Sequence, residues 1–195
     1  MKKGTLAFLF ILLGVFFISS CGNEYTPKPR GFFKIEFPKK EYQAYNGNCP
    51  YTFDFPVYSK IVPDSSRNAK RCWIDVSFPQ FNGRIHLSYQ PVTSPQNFNE
   101  LIEDARTFAF KHTVKATAID ERYISYPDKK VYGTYYSIDG NTASSVQFYL
   151  TDSTKNYIRG ALYFHEQPRL DSIQPVLTFI EEDINRMIKT FRWKN

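Results

Sequence analysis

The sequence predicts an α+β domain in which an antiparallel β-sheet carries two long helices packed on it. Several short segments alternate apolar and polar residues with a period of two, which is typical of strands with one buried face. Short connections rich in Asn, Gly, Asp and Ser separate them, as expected for antiparallel hairpins. Two longer segments repeat apolar residues every three or four positions instead, as helices do.

Period-two alternation predicts the strands. Asn82-Gly83 lies between two of these segments and predicts a β-hairpin, and the last three segments follow each other closely enough to predict a meander. The alternating segments are residues 33–37, 51–55, 72–78, 84–89, 131–138, 144–150 and 157–164.

The first helix is predicted from Asn97 to about Lys111. Its apolar residues fall on one face, and Asn97 with Glu100 three positions later resembles a capping box. Strands, hairpin, helix, meander and helix in that order are similar in architecture to the α-β-α sandwich of the PsbP/Mog1 type. That resemblance concerns architecture alone and implies no function.

The second helix has an unbroken apolar stripe from Ile173 to Phe191. Asp171 or Ser172 is its predicted cap, and Pro175 is expected in its first turn, where a missing N–H is tolerated. The opposite face begins with the three acidic residues at 181–183. We expect that face to be solvated, which makes its carboxylates poor candidates for acid–base catalysis.

The amino-terminal end predicts export and lipid attachment. Two lysines precede about a dozen apolar residues, which is the pattern of a secretory signal, and the run is shorter than the roughly 20 residues that span a bilayer. Ile18-Ser19-Ser20-Cys21 resembles the lipobox of bacterial lipoproteins. We therefore predict a signal peptide over residues 1–20 and acylation of Cys21, palmitate included. An ordinary secretory cleavage or an uncleaved anchor would leave Cys21 without a role.

After Cys21 the chain is polar and contains two prolines, which predicts an extended tether over residues 21–31. Residues 32–195 are then expected to form a single globular domain of ordinary size. The formal net charge of +6 is spread along the chain without a basic cluster, so no nucleic-acid partner is predicted. Phe and Tyr are abundant, and we expect most of them to build the core.

Two cysteines remain once Cys21 is acylated. Cys49 and Cys72 are a candidate disulfide, since an even pair in an exported protein favours one. Two buried free thiols are the alternative. No His or Asp stands at ligand spacing from either cysteine, so a metal site is not expected.

The sequence contains no recognisable catalytic motif. It lacks a phosphate loop, a dinucleotide fingerprint and a nucleophile elbow, and its three histidines are far apart in sequence. We therefore predict no enzyme activity, no cofactor and no metal. A hydrolase that pairs Ser144 or Ser145 with His86 or His165 is the weakest of three functional hypotheses.

Two serines lie in the Asp-Ser/Thr-X pattern of O-glycan acceptors in periplasmic proteins of the Bacteroidetes. They are Ser153 and Ser172, each directly after an aspartate. A turn and a helix cap would explain the same residues without a sugar.

Seven stretches of the sequence have low degeneracy: residues 29–33, 48–53, 85–89, 131–133, 140–148, 151–153 and 159–164. Together they make the chain similar to the gliding motility lipoprotein GldD family of Bacteroidetes. The resemblance covers essentially the full chain. It implies a cell-envelope lipoprotein that is needed for gliding and linked to type IX protein secretion, and it brings no catalytic or binding residues with it.

The leading hypothesis is a non-enzymatic accessory or assembly factor, held at the membrane by acylated Cys21. It would dock through an aromatic-bearing surface on protein partners of the gliding and type IX secretion machinery. Position 22 is Gly, where an aspartate would favour inner-membrane retention in some bacteria, so the outer membrane is the expected location. We expect the domain to face the periplasm, and a domain facing the outside is the alternative. The alternative is a glycan- or lipid-binding module of the envelope that uses Tyr and Phe around one sheet edge.

Overall fold

A computed structural model describes residues 34–165 and 170–194. The predicted signal peptide, Cys21 and the tether lie outside these residues. Ile35–Asn195 form one compact unit, and the fold below is the fold of that unit.

The described residues form eleven strands and two long helices. The helices are α1 (Pro95–Phe110) and α2 (Leu170–Thr190). The strands are β1 (Tyr42–Ala44), β2 (Tyr51–Thr52), β3 (Asp54–Pro56), β4 (Lys60–Pro63), β5 (Ile74–Phe78), β6 (Gly83–Pro91), β7 (Ala116–Tyr126), β8 (Val131–Gly140), β9 (Val146–Thr151), β10 (Asn156–Phe164) and β11 (Arg192–Trp193).

Seven strands form the central sheet, in the order β4-β5-β6-β10-β9-β8-β7 with antiparallel neighbours throughout. Two small antiparallel pairs stand beside it, β1 with β3 and β11 with β2. The hairpin around Asn82-Gly83 is confirmed as β5 and β6, which are connected by a 3-10 turn over Pro79–Phe81 and by Asn82, whose φ of 51° is left-handed. The meander is confirmed as β8, β9 and β10.

The two helices cover opposite faces of the sheet. Alternate side chains of β9 show this directly: Phe148 joins the core cluster that includes Ile180 and Ile184 of α2. Its neighbour Tyr149 joins the cluster that includes Leu101 of α1. The predicted α+β class, an antiparallel sheet with two helices packed on it, is confirmed by this layering.

Four strands were not predicted, namely β1, β4, β7 and β11, and one predicted strand is wrong. β7 is an edge strand whose residues are mostly exposed, so it lacks the apolar alternation on which the prediction depends. β4, at the opposite edge, has only 4 residues and is also mostly exposed, so it shows no apolar alternation either. Residues 34–41 contain no strand, and the first strand is β1. Phe37 is instead held by its ring, which stacks on that of Phe179 at 4.5 Å between centroids.

Helix α1 begins two residues earlier than the capping box at Asn97 predicts. Ser94 is the N-cap and accepts the Asn97 N–H at 3.0 Å, with Pro95 in the first turn. Asn97 still belongs to the cap, because its Oδ1 accepts the Thr93 N–H at 3.2 Å. A polar N-cap was predicted correctly, but the observed cap, Ser94, lies three positions before the predicted one.

Helix α2 begins at Leu170, so the predicted caps Asp171 and Ser172 lie inside its first turn and not before it. Pro175 consequently sits within the helix, beyond the first turn. The apolar stripe is confirmed, since its middle and last turns are buried. The expected solvated face is wrong at one residue: Asp183 is 0% exposed.

Gly133 in β8 tests the packing of the meander. A Cβ on this residue would clash with the backbone carbonyl of Tyr149 in the neighbouring strand, and backbone cannot move aside as a side chain can. We expect Gly133→Ala to lower the free energy of unfolding by about 1–3 kcal/mol. Ser137→Ala, on the same strand, should change it by less than about 0.5 kcal/mol. Urea unfolding of both variants measures the difference, and equal effects would contradict the register of β8 against β9.

Candidate functional site

Asp183 of α2 is a fully buried carboxylate with three side-chain donors. Lys40 Nζ lies 2.7 Å and Tyr42 Oη 2.9 Å from its Oδ1. Tyr58 Oη donates to its Oδ2 at 2.5 Å. We call Lys40, Tyr42, Tyr58 and Asp183 the latch, because three of them come from the amino-terminal segment of the domain and the fourth from its last helix.

Lys40 has more contacts than its ion pair. Its ammonium donates to the Phe179 carbonyl oxygen at 2.5 Å and lies 3.5 Å from the centroid of the Phe179 ring. A cation over an aromatic face is attracted by the ring quadrupole. The side chain is 22% exposed, so one partner remains near water while Asp183 does not. The latch therefore pairs a buried carboxylate with an ammonium group that contacts that carboxylate, the Phe179 carbonyl oxygen and the Phe179 ring.

Both latch tyrosines stay protonated. Burial raises the pKa of Tyr58 far above its usual value, and the hydrogen bond to Asp183 and the negative charge of that carboxylate raise it further. The pKa of Tyr42 is raised by the same three causes in the same order. Each hydroxyl is therefore a fixed donor at neutral pH, and the latch is an arrangement for holding residues together.

A second set of contacts lies one helical turn further along α2. Arg186 donates to Asp54 Oδ2 from Nε at 3.1 Å and from a terminal nitrogen at 2.7 Å. The Asp54 N–H in turn donates to Thr190 Oγ1 at 2.9 Å. Asp54 belongs to β3, which pairs with β1 so that Tyr42 lies opposite Pro56. The whole segment from Lys40 to Tyr58 is thus fastened to α2.

The sequence contained a signal for Asp183 that the three consecutive acidic residues obscured. Asp183 follows Ile180 by three positions and precedes Met187 by four, so it lies within the buried stripe of α2. Its neighbour Glu182 does not, and its side chain is 66% exposed. A carboxylate in an apolar stripe indicates a buried charge with a partner. The sequence does not identify that partner, because Lys40 is distant along the chain.

His86 pairs with carboxylates. Its Nδ1 lies 2.7 Å from Asp75 Oδ1, and its Nε2 lies 3.8 Å from Asp64 Oδ2. Arg84 contacts the other oxygen of Asp75 at 3.3 Å. Among the described residues, no group of three or more His, Cys, Asp or Glu side chains is placed to hold a metal.

The predicted serine–histidine pairs do not form a catalytic arrangement. Ser144 and Ser145 are buried, and Ser144 Oγ donates to the Val146 carbonyl oxygen at 3.1 Å. His165 is exposed, and its backbone N–H donates to the Asn82 carbonyl oxygen. Within the described ranges no hydrogen bond joins either serine to either histidine, which counts against the hydrolase hypothesis.

The structure joins Cys49 to Cys72 as a disulfide, with the Cα atoms 5.5 Å apart. Cys72 has a left-handed φ of 65°, and its carbonyl oxygen accepts the Tyr51 hydroxyl at 2.8 Å. The bond ties the chain before β2 to the chain before β5. Its presence in the cell stays a prediction, best checked by the electrophoretic shift on reduction.

The two candidate acceptor serines are accessible. Ser153 is exposed at the β9–β10 turn with a φ of 65°, and Ser172 is exposed near the start of α2. The Asp152 carboxylate beside Ser153 accepts the N–H groups of Thr154, Lys155 and Asn156 at 2.8–2.9 Å. These bonds build the turn, and glycosylation of either serine stays a prediction.

The protein is, by its geometry, a layered α+β domain whose amino-terminal segment is fastened to its last helix. No helix in the described part of the chain is long and apolar enough to cross a membrane. A comparison with known protein families matches residues 22–193 to the gliding motility lipoprotein GldD. The chain belongs to the gliding motility lipoprotein GldD family. It is accordingly a membrane-anchored lipoprotein of the cell envelope, associated with gliding motility.

A comparison with curated protein sequences finds no match. Among solved structures, the chain is similar to the solution structure of cyanobacterial PsbP (CyanoP) from Synechocystis sp. PCC 6803. The two sequences are 10% identical, the match covers 85% of this chain and 97% of the other, and the TM-score is 0.45. The likeness is one of shape and bears on neither activity nor partners.

Removing the latch carboxylate should destabilise the domain. Asp183→Ala leaves the donors of Lys40, Tyr42 and Tyr58 without their acceptor, and we expect a loss of about 3 kcal/mol in the free energy of unfolding. Glu182→Ala is the matched control, because its carboxylate is exposed and lies 3.8 Å from the same lysine. It should cost less than about 0.5 kcal/mol. Urea unfolding of the two variants decides, and comparable losses would contradict the latch.

The turn at Asp152 predicts a pH dependence. Burial alone would raise the pKa of this carboxyl, but hydrogen bonds from Lys155, Asn156 and Thr154 outweigh it and hold the pKa below the usual 3.8. Its contribution to stability is therefore fully present above the unfolded pKa and is lost as pH falls through the folded one.

We expect the free energy of unfolding of the wild type to exceed that of Asp152→Asn by roughly 1 kcal/mol at pH 7. The gap should narrow as the pH is lowered below 3.8. Asp128→Asn, an exposed aspartate, should show no such trend. A gap for Asp152→Asn that stays constant with pH would show that the carboxylate is not held in this way.

Proposed function

We propose that this protein is a non-enzymatic accessory factor of the gliding machinery, held at the outer membrane with its domain in the periplasm. We further propose that it assists assembly of components linked to type IX secretion. The observation that carries the proposal is the latch, considered with membership of a family of gliding motility lipoproteins. An accessory factor has to be positioned, and the latch is a device for positioning.

The anchor in this proposal is Cys21, acylated after removal of residues 1–20. The chain that follows it reaches the domain at the segment that Lys40 and Tyr42 fasten to α2. A pull on the anchor would then be borne by a buried ion pair and by the β1–β3 pairing, and not by a loosely attached end. This supports a protein that presents one defined side to its neighbours.

The polar groups that could serve catalysis are already occupied in ways that suit structure. Asp183 accepts the three donors of the latch, His86 is paired with Asp75, and Ser144 Oγ donates to the Val146 carbonyl oxygen. A nucleophile needs a base within hydrogen-bond reach. The arrangement of these residues therefore supports a binding role over a chemical one.

The surface that best fits a protein partner is the edge formed by β7. This strand is 11 residues long, against 4 for β4 at the other edge. Tyr123 on β7 is 84% exposed, and Val114 just before it is 92% exposed. Long edge strands offer unpaired backbone groups to an added strand, and exposed aromatic side chains are enriched at interfaces. We propose that a protein of the gliding machinery docks here.

Photocrosslinking in gliding cells tests the docking proposal. A photoreactive amino acid at position 123 should give covalent adducts with a discrete protein partner. The same group at Val62, which is 44% exposed on β4, is the matched control and should give few adducts. Mass spectrometry identifies what is captured. Equal capture from both positions, or adducts with lipid alone, would contradict docking at β7.

A further inference from the structure

A groove of about 650 Å³ opens beside the Cys49–Cys72 disulfide. The turn at 47–50 forms one wall, residues 70–72 form the other, and Tyr89 of β6 lines it. The volume falls within the range of sites for small molecules. The latch and the β7 edge contribute no residue to it.

The described lining of the groove is cationic. Lys70, Arg71 and Lys194 line it, and none of its described lining residues is acidic. None of the three cations forms an ion pair with a described residue. Lys194 donates to the Gly47 carbonyl oxygen at 2.9 Å, and Lys70 Nζ lies 3.5 Å from Gln90 Oε1 and 5.8 Å from the centroid of the Trp73 ring. Three positive charges around one concave surface favour an anionic occupant.

The walls of the groove are fixed. The disulfide joins them, and the Lys194 N–H donates to the Pro50 carbonyl oxygen at 2.9 Å. On the other side Trp73 Nε1 donates to the Tyr89 carbonyl oxygen at 2.8 Å. A site that is already ordered loses less conformational entropy when a ligand binds.

The rest of the lining is largely apolar. Pro50, Pro91, the ring of Tyr89 and the disulfide provide surface against which a sugar ring or a glycerol backbone can pack. Arginine matches the geometry of phosphate oxygens with two parallel donors, and lysine adds a compact charge. The combination therefore fits a phosphate ester on a small organic body better than a free inorganic anion.

We propose that this groove binds a phosphate ester, carried on a saccharide or in a phospholipid headgroup. Lys70 and Arg71 would hold the phosphate, and Tyr89 with the two prolines would hold the organic part. The proposal is independent of docking at β7, because it concerns other residues and a phosphate ester instead of a protein partner.

Calorimetric titration of the full-length chain in a neutral detergent tests it. The probes are glucose 6-phosphate and glycerophosphoglycerol, which is the water-soluble headgroup of phosphatidylglycerol. Their counterparts without a phosphate group are glucose and glycerol. We expect saturable binding of at least one anionic probe and much weaker binding of its counterpart. Tighter binding of glucose 6-phosphate identifies a phosphorylated saccharide as the source, and tighter binding of glycerophosphoglycerol identifies a lipid headgroup.

Charge-neutral variants locate the binding. The double variant Lys70→Gln with Arg71→Gln should bind the tighter of the two anionic probes at least about tenfold more weakly, because a charged hydrogen bond is lost. The control double variant, Lys111→Gln with Lys115→Gln, also removes two positive charges, but from exposed positions elsewhere, and it should leave binding unchanged. Absence of saturable binding by both anionic probes overturns the proposal, as does equal weakening by both double variants.

Discussion

The burial of one carboxylate determines how the two ends of this domain meet. Asp183 is 0% exposed, and an ion so deeply desolvated is tolerated only when its lone pairs are used. Its partners come from residues 40–58, a part of the chain with little regular structure of its own. Short strands such as β1 and β3 are marginal alone. We infer that α2, through Asp183 and Arg186, gives the amino-terminal segment most of its order.

The carboxyl-terminal residues continue this role beyond the latch. Thr190 accepts the Asp54 N–H, and β11 pairs with β2. Lys194 then holds the turn at 47–50 through both its backbone and its ammonium group. One continuous stretch of chain thus organises the latch and one wall of the cationic groove. The seven-stranded sheet supplies the support on which both are built.

The sequence predicts the inner strands of the central sheet and α2 because the spacing of their apolar residues is periodic. Val146, Phe148 and Leu150 alternate as a buried strand should, and Ile180, Ile184 and Met187 repeat as a buried helix should. It does not predict β7, whose residues satisfy backbone hydrogen bonds without burying a face. Nor does it predict the latch, because a pairing between Lys40 and Asp183 leaves no local pattern. Lys40 and Asp183 are far apart along the chain and become neighbours only in the folded domain.

Hydrogen exchange in the full-length chain tests most directly whether the latch holds the amino-terminal segment. The Tyr45 N–H donates to the Phe53 carbonyl oxygen, and the Val57 N–H donates to that of Glu41, so both amides report on β1 and β3. If the latch holds this segment, Asp183→Ala accelerates exchange at these two amides while β9 and β10 stay protected. Unchanged exchange at Tyr45 and Val57, or a uniform rise across the domain, would contradict that account.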